Sequence, residues 1–267
     1  MRITHPQTIY QGINPDNMFF VSSDQHVQLG TGYIYSFFQQ ELTPKRPLNM
    51  YVQIDAQPSA RSLLFGALLA RAETIHSQTP GLPARLYTQL DVRDEEMMEF
   101  YQHCGMQLDD AEDLFMFSLP DKYDPRPPMG LLYCSAPIAN DTEMDAFIRR
   151  LNTRRITNIS HDQMTLWREQ PNFFAAGFYT KEHPVAELVV TGVGHTATLV
   201  SMYTAKEHQR QGLARMLVLL ACGVLKDRGV DTLYANIFRK NDAQVGLMKS
   251  LGAQYVRTVA LLPGIDL

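Results

Sequence analysis

The spacing of apolar positions changes period repeatedly along this chain. Short runs of period two alternate with longer runs of period near 3.6, the spacings that line one face of a strand or of a helix. Residues 18–21 and 33–38 read as strands rich in aromatics, and 50–54 as a third. Residues 60–75 carry Leu63, Leu64, Ala67, Leu68 and Arg71 at helical spacing, and Thr79-Pro80-Gly81 breaks the run. A strand at 85–90, a helix at 94–104 closed by Gly105, and a strand at 114–119 follow.

The alternation then starts again. Residues 131–134 read as a strand. Residues 141–154 read as a helix with Met144, Phe147, Ile148 and Leu151 on one face, and 160–168 as a shorter helix capped by Ser160. Strands at 173–179, 186–193 and 198–204 precede a buried helix at 213–226. A strand at 233–238, a helix between Asn241 and Gly252, and a strand at 256–262 complete the chain. Strand, helix, strand, helix, glycine, strand occurs near 50–119 and again near 198–262, a two-copy internal repeat. Between the copies, 120–128 holds four prolines in nine residues and reads as a stiff linker. The expected division is 1–120, a linker at 121–128, and 129–267.

Composition narrows the picture. The chain has 267 residues, 45% apolar and 19% charged, enough for two packed cores and unlike a disordered segment. A net charge of −4 with dispersed basic residues excludes a nucleic-acid stripe, and Arg149-Arg150 and Arg154-Arg155 read as a solvated helix face. Cys104, Cys134 and Cys222 form no CxxC pair, which argues against a disulfide framework or a zinc site and fits a cytoplasmic protein. The first residues lack the apolar core of a signal peptide. The longest apolar run, 213–225, is interrupted by Arg215 and too short to span a bilayer, so no membrane is expected.

The chemistry concentrates at Gln209-Arg210-Gln211-Gly212-Leu213-Ala214, between a β-branched run and a helix. Unpaired N–H groups and the helix dipole make a helix start an anion site. Gly212 keeps side-chain bulk away from that backbone. Downstream, Asn241 is a good N-cap and Gly252 a good C-cap.

These segments, in this order, resemble the GNAT superfamily of acetyl-CoA-dependent N-acyltransferases. Gln209, Gly212 and Ala214 fill its pyrophosphate motif, and Asn241 with Gly252 fits its later helix. The resemblance implies an α/β fold of two GNAT-like domains. Each would be a mixed, mostly antiparallel sheet flanked by helices, with a splayed parallel strand pair for acyl-CoA in the second. It implies transfer of an acetyl group from acetyl-CoA to a primary amine, on a small molecule or a peptide. A module that retains CoA without turnover is the alternative. A homodimer stays open. Met202, Tyr203 and Thr204 would flank the pantetheine arm. Gln209, Arg210, Gln211, Gly212, Leu213 and Ala214 would bind the pyrophosphate, with Asn241 beside the cofactor.

The usual acid of the family is a tyrosine four residues before the closing glycine, where this chain has Met248. Tyr203, Tyr234, Tyr255 or water are the substitutes. The usual glutamate is also missing, since its place is Leu199. His195 and Glu187 are the candidates for base. In the first copy Tyr101 precedes Gly105 by four, but Arg61–Gly66 taken as its phosphate turn has Leu64 at the glycine place. The first copy therefore reads as degenerate and silent toward CoA.

Overall fold

The computed structural model describes residues 1–10, 12–40, 43–120, 126–153, 155, 158–181 and 183–267. The chain packs as two compact units. One is Met1–Glu112 with Thr258–Leu267, the other Asp113–Arg257. Most of the Pro-rich stretch, residues 121–125, lies outside the described residues, as does Arg154 of the second arginine pair.

In the first unit, β1 (Arg2–Thr4), β2 (Met18–Ser22), β3 (Gln28–Phe38) and β4 (Leu48–Ala56) pair in order, all antiparallel. The helix α1 (Pro58–Ser77) then crosses to β5 (Ala84–Tyr87), which runs parallel to β4 from Leu48↔Ala84 to Tyr51↔Tyr87. Pro58 suits the first helical turn, where its missing N–H costs nothing. Ala60, Leu64, Phe65, Leu68 and Ala72 recur at helical spacing and pack on Val21, Ile34, Met50 and Val52. The helix α2 (Glu95–His103), capped by Asp94, leads into β6 (Gln107–Ser118). Tyr101 is fully buried in this core and packs there.

Two findings here differ from the sequence reading. Residues 61–66 lie inside α1, not in a turn before it. The connection equivalent to the glycine turn is Gln57 alone, between the end of β4 and Pro58. The second finding concerns the last strand. The pattern predicts a strand over 256–262, yet β12 runs Gln254–Asp266 and its final residues pair antiparallel with β5, Gly264↔Tyr87 to Asp266↔Arg85. Thr258–Leu267 therefore packs with the first unit.

In the second unit, β7 (Leu132–Ser135) precedes α3 (Asp141–Asn152) and α4 (His161–Arg168). Then come β8 (Phe174–Tyr179), β9 (Pro184–Thr191), β10 (Thr196–Thr204), α5 (Leu213–Asp227), β11 (Thr232–Phe238) and α6 (Asp242–Leu251). The strand order is β11-β10-β9-β8-β7, antiparallel except for the pair β10 and β11. Asn140, Ser160 and Asn241 each accept a hydrogen bond from the first turn of the helix they precede. Two apolar layers cover this sheet. On one face Leu188, Val190, Ala197 and Leu233 pack with Leu217, Val218 and Met248 of α5 and α6. On the other, Val189, Val200 and Tyr203 pack with Met144, Phe147, Leu151 and Met164 of α3 and α4. A strand covered on both faces is apolar at every position, which explains the unbroken burial of Val185–Thr191. Glu187 and the terminal Thr191 are the exceptions.

Candidate functional site

The parallel pair in the second unit is short. Thr196↔Thr232, Ala197↔Leu233 and Thr198↔Tyr234 are in register, and both strands then continue beyond that pairing. Immediately past this apex, β10 shifts register against β9 between Leu199 and Ser201, so Val200 is an extra residue. A bulge bends its strand and breaks the ladder locally. The Arg155 guanidinium donates to the Val200 carbonyl there.

Tyr234, Ser201 and Tyr203 share one face. Leu233, Ala235 and Ile237 pack toward α5, so alternation turns Tyr234 the other way, beside Thr198 at the apex. Ser201 registers with Val189, and Tyr203 with Glu187. Met202 alternates onto the α5 face, where it packs on the core. Thr204 ends the strand, and its carbonyl accepts from Gln209 Nε2 at 3.4 Å.

At the far end of β10, a turn at Lys206–His208 leads to the glycine segment. His208 N–H bonds the Ala205 carbonyl at 3.0 Å, so this residue shapes the turn. Gln211 Nε2 donates to the Glu207 carbonyl at 3.1 Å. Arg210 is exposed and holds φ +61°, a left-handed conformation that costs a residue with a Cβ roughly 1–2 kcal/mol. Gly212 caps α5 with φ +77°, and a Cβ built there meets nothing within 4 Å. Unlike the helices capped by Asn140, Ser160 and Asn241, α5 receives no side-chain cap at its first turn. Leu213 turns into the core and Ala214 is half-buried. Asn241 spends its side chain on capping α6, accepting from Gln244 N–H at 3.1 Å.

Glu187 was weighed as a base, and its surroundings decide against it. Its side chain is 0% exposed. Arg150 on α3 grips both oxygens, at 2.6 and 2.7 Å, and the Tyr179 hydroxyl donates to Oε1 at 3.0 Å. Both carboxylate oxygens are therefore already engaged by donors of the fold. The Tyr179 hydroxyl is pushed well above its ordinary pKa, first by burial and then by the Glu187 charge, so it stays protonated as the donor. This pair spans 37 positions of sequence, and nothing in either local pattern announces it.

His195 lies away from the reacting face. It precedes β10 at the end opposite the glycine segment, with its side chain 82% exposed. Nδ1 sits 2.9 Å from the Gly229 carbonyl and 3.5 Å from Asp231. The nine residues of β10 separate it from Ala205 by about 30 Å at roughly 3.3 Å per residue. Thr198 at the apex is about 10 Å away by the same measure, and the ring is turned to Gly229 and Asp231 instead. Met248, at the place of the family's acid, is 4% exposed within the α5–α6 core. Tyr255 is exposed on β12, edge-on to Phe115.

Residues 141–253 match the family model of the acetyltransferase (GNAT) family. Curated proteins give no match. Among solved structures, a GCN5-related N-acetyltransferase from Sphaerobacter thermophilus shares 12% identity at a TM-score of 0.52, with 96% of this chain and 82% of that one covered. A conserved Enterococcus faecalis V583 protein, a probable N-acyltransferase, shares 12% at 0.55, covering 92% and 61%. A tandem GNAT protein from the clavulanic acid biosynthesis pathway shares 13% at 0.46, covering 93% and 82%. The two neighbours with TM-scores above 0.5 show the fold, an α/β arrangement of mixed sheets flanked by helices.

Proposed function

We propose that the protein is an acetyl-CoA-dependent N-acetyltransferase acting on a primary amine, on the premise that residues 141–253 match the model of the acetyltransferase (GNAT) family. One observation carries the reading. The parallel pair parts beyond Thr198 and Tyr234, and the strand that frees its edge leads to an uncapped helix start at an open, left-handed Gly212. That combination offers extended backbone for a pantetheine arm and unpaired N–H groups for a pyrophosphate. The backbone from Gln209 to Ala214 holds the phosphates, and Arg210 adds charge. Met202, Tyr203 and Thr204 flank the arm.

The donor supplies an activated acyl group, and the chain supplies position and electrostatics. The amine nitrogen attacks the thioester carbonyl directly. No cysteine competes as a covalent nucleophile at the apex, since Cys222 is buried in the α5 core, which pushes its thiol up to about 12, and Cys134 lies on β7. Tyr234 at the apex and Tyr203 on the same face are the groups near enough to return a proton to the thiolate. The acceptor, on a small molecule or a peptide, approaches from the α3–α4 face. The first unit binds no CoA. No described helix is long and apolar enough to cross a membrane. The cytoplasm is proposed from the three cysteines, which form no CxxC pair.

The test is a thermal melt with acetyl-CoA. Saturation at 100 times the dissociation constant adds about 2.7 kcal/mol to a single-site protein. Gly212→Glu puts bulk and negative charge at the pyrophosphate and abolishes the shift. A normal shift in that variant overturns the site. Release of free thiol across a panel of amines then separates transfer from retention of CoA without turnover. Turnover that is unchanged in Tyr203→Phe and Tyr234→Phe makes water the proton source.

A further inference from the structure

Among the described residues of the second unit, two buried side-chain oxygens have no hydrogen-bond partner, the Tyr133 hydroxyl and the Ser201 hydroxyl. Tyr133 sits on β7, three strands from β10. Ser201 is different. It follows the bulge at Val200 directly, on the strand that parts from β11 three residues earlier, and is 7% exposed. A buried hydroxyl without a partner destabilises a fold, and replacing it with an apolar group usually does not. A strand of this composition would accept alanine or valine here at no cost in packing pattern. The hydroxyl is thus a local conflict with foldability, and such conflicts concentrate where function needs them.

Its position fits a reacting atom. From Ala205, where the phosphate-side turn begins, to Ser201 is about 13 Å at roughly 3.3 Å per residue, a span on the scale of an extended pantetheine arm. The side chain faces α3 and α4 together with Tyr203, and Tyr234 at the apex points the same way. Arg155 holds the neighbouring Val200 carbonyl, which fixes the bulge and with it the direction of Ser201. Glu187, Arg150 and Tyr179, the other polar groups on this face, are bonded to one another.

We propose that the Ser201 hydroxyl donates a hydrogen bond to the carbonyl oxygen of the acyl thioester and stabilises the oxyanion formed during transfer. The proposal rests on the second unit being an acyltransferase. In the step it serves, the amine lone pair forms the C–N bond while the carbonyl π electrons move to oxygen. Collapse of that oxyanion breaks the C–S bond, and the proton lost by nitrogen ends on the departing thiolate. Ser201 gives up no proton; it bonds more strongly as charge develops, which is what lowers a barrier.

The experiment compares Ser201→Ala and the near-isosteric, weakly donating Ser201→Cys with the parent chain, using acetyl-CoA labelled with carbon-13 at the acyl carbonyl. Removal of one such donor lowers kcat by about 100- to 1000-fold. Donor affinity stays within about threefold, since the bond strengthens chiefly in the transition state. The unliganded Ser201→Ala protein melts no lower than the parent, because an unsatisfied hydroxyl has been removed. The infrared carbonyl band of the bound donor, displaced by the hydrogen bond in the parent, returns toward its solution position in both variants. An unchanged kcat or an unchanged band in both variants overturns the assignment while leaving the acyltransferase reading intact. A fall in melting temperature with parallel loss of donor binding assigns Ser201 a packing role and also overturns it. If the parent itself fails to bind acetyl-CoA, the reading of the unit falls and the proposal with it.

Discussion

Arg150→Met puts the buried ion pair under direct test. Methionine keeps most of the length and apolar contact of the arginine stem, including the side that lies 5.9 Å from the Phe147 ring. What it removes is the guanidinium that holds both oxygens of Glu187. Glu187 is wholly buried between β8 and β10, and Tyr179 alone then remains to solvate its charge. Removing one partner of a buried pair costs about 3–5 kcal/mol. At roughly 2–4 °C per kcal/mol for a unit of this size, the melting transition should fall by about 6–20 °C. Replacing both partners removes the stranded charge. Arg150→Met with Glu187→Leu should therefore recover most of the loss, a coupling of at least about 2 kcal/mol in a double-mutant cycle. Urea denaturation of the four proteins measures it. A single Arg150→Met variant within about 1 kcal/mol of the parent would mean that water reaches Glu187, and it would return that carboxylate to the list of bases.

The remaining predictions are briefer. Titration calorimetry with acetyl-CoA should give one site per chain, and two would refute the silence of the first unit. Arg210→Gly relieves a left-handed conformation and should stabilise the free protein by about 1 kcal/mol while weakening donor binding; a gain in both would remove Arg210 from the phosphate site. Met248→Tyr overfills the α5–α6 core, so a loss of about 1–3 kcal/mol is expected with no gain in kcat; a faster enzyme would show that this position reaches the cleft. Thiol labelling at pH 8 should modify exposed Cys134 quickly and half-buried Cys104 slowly. Cys222 should react only on unfolding, because burial raises its pKa from 9.0 to about 12. Its neutral thiol then contributes stability that is whole below pH 9 and is lost as pH rises toward 12, so fast native labelling of Cys222 would contradict the packing.

Much of the second unit was legible because its signals are local. Asn241, Ser160 and Gly252 mark helix ends by side-chain chemistry or by a left-handed angle, and each acts where its pattern places it. The start of α1 was misread although its signal was present. Pro58 suits a first helical position, but the leucines from Leu63 onward drew the phosphate-turn comparison one and a half turns too late. Other features depend on partners far along the chain. The bulge at Val200 exists only in register with β9, the Arg150–Glu187 pair joins α3 to β9, and the last residues of β12 are strand because β5 receives them. Periodicity cannot reveal a contact whose two halves look ordinary on their own.

The proposed cofactor cleft of the second unit and the corresponding connection of the first differ in a few local features. Each has a parallel pair followed by a helix start, β4 and β5 with α1, β10 and β11 with α5. In the second, a loop from Ala205 to Gly212 precedes the helix, and its glycine gives the first turn no side-chain cap. In the first, Gln57 is the whole connection and Pro58 deletes a donor from that turn. Arg61, the nearest cation, is turned onto the Ala56 carbonyl at 3.2 Å and the Glu96 carboxylate at 2.6 Å. A pyrophosphate there would meet a spent arginine and a negative charge. A glycine placed at this connection would not by itself create the site, because the loop is lacking, Pro58 supplies no donor and Glu96 holds Arg61. The same sheet without that loop still has a structural role: β5 takes the end of β12 as its neighbour, with Leu90 and Leu261 exchanging backbone bonds at 2.9 Å and Arg85 donating to the Leu262 carbonyl at 2.8 Å. The last strand of the chain is thus held by the unit that lacks the cofactor turn, and losing Thr258–Leu267 should expose residues 1–112 to proteolysis before residues 113–257. Equal protection of both segments in a truncated chain would show that β5 does not need that neighbour.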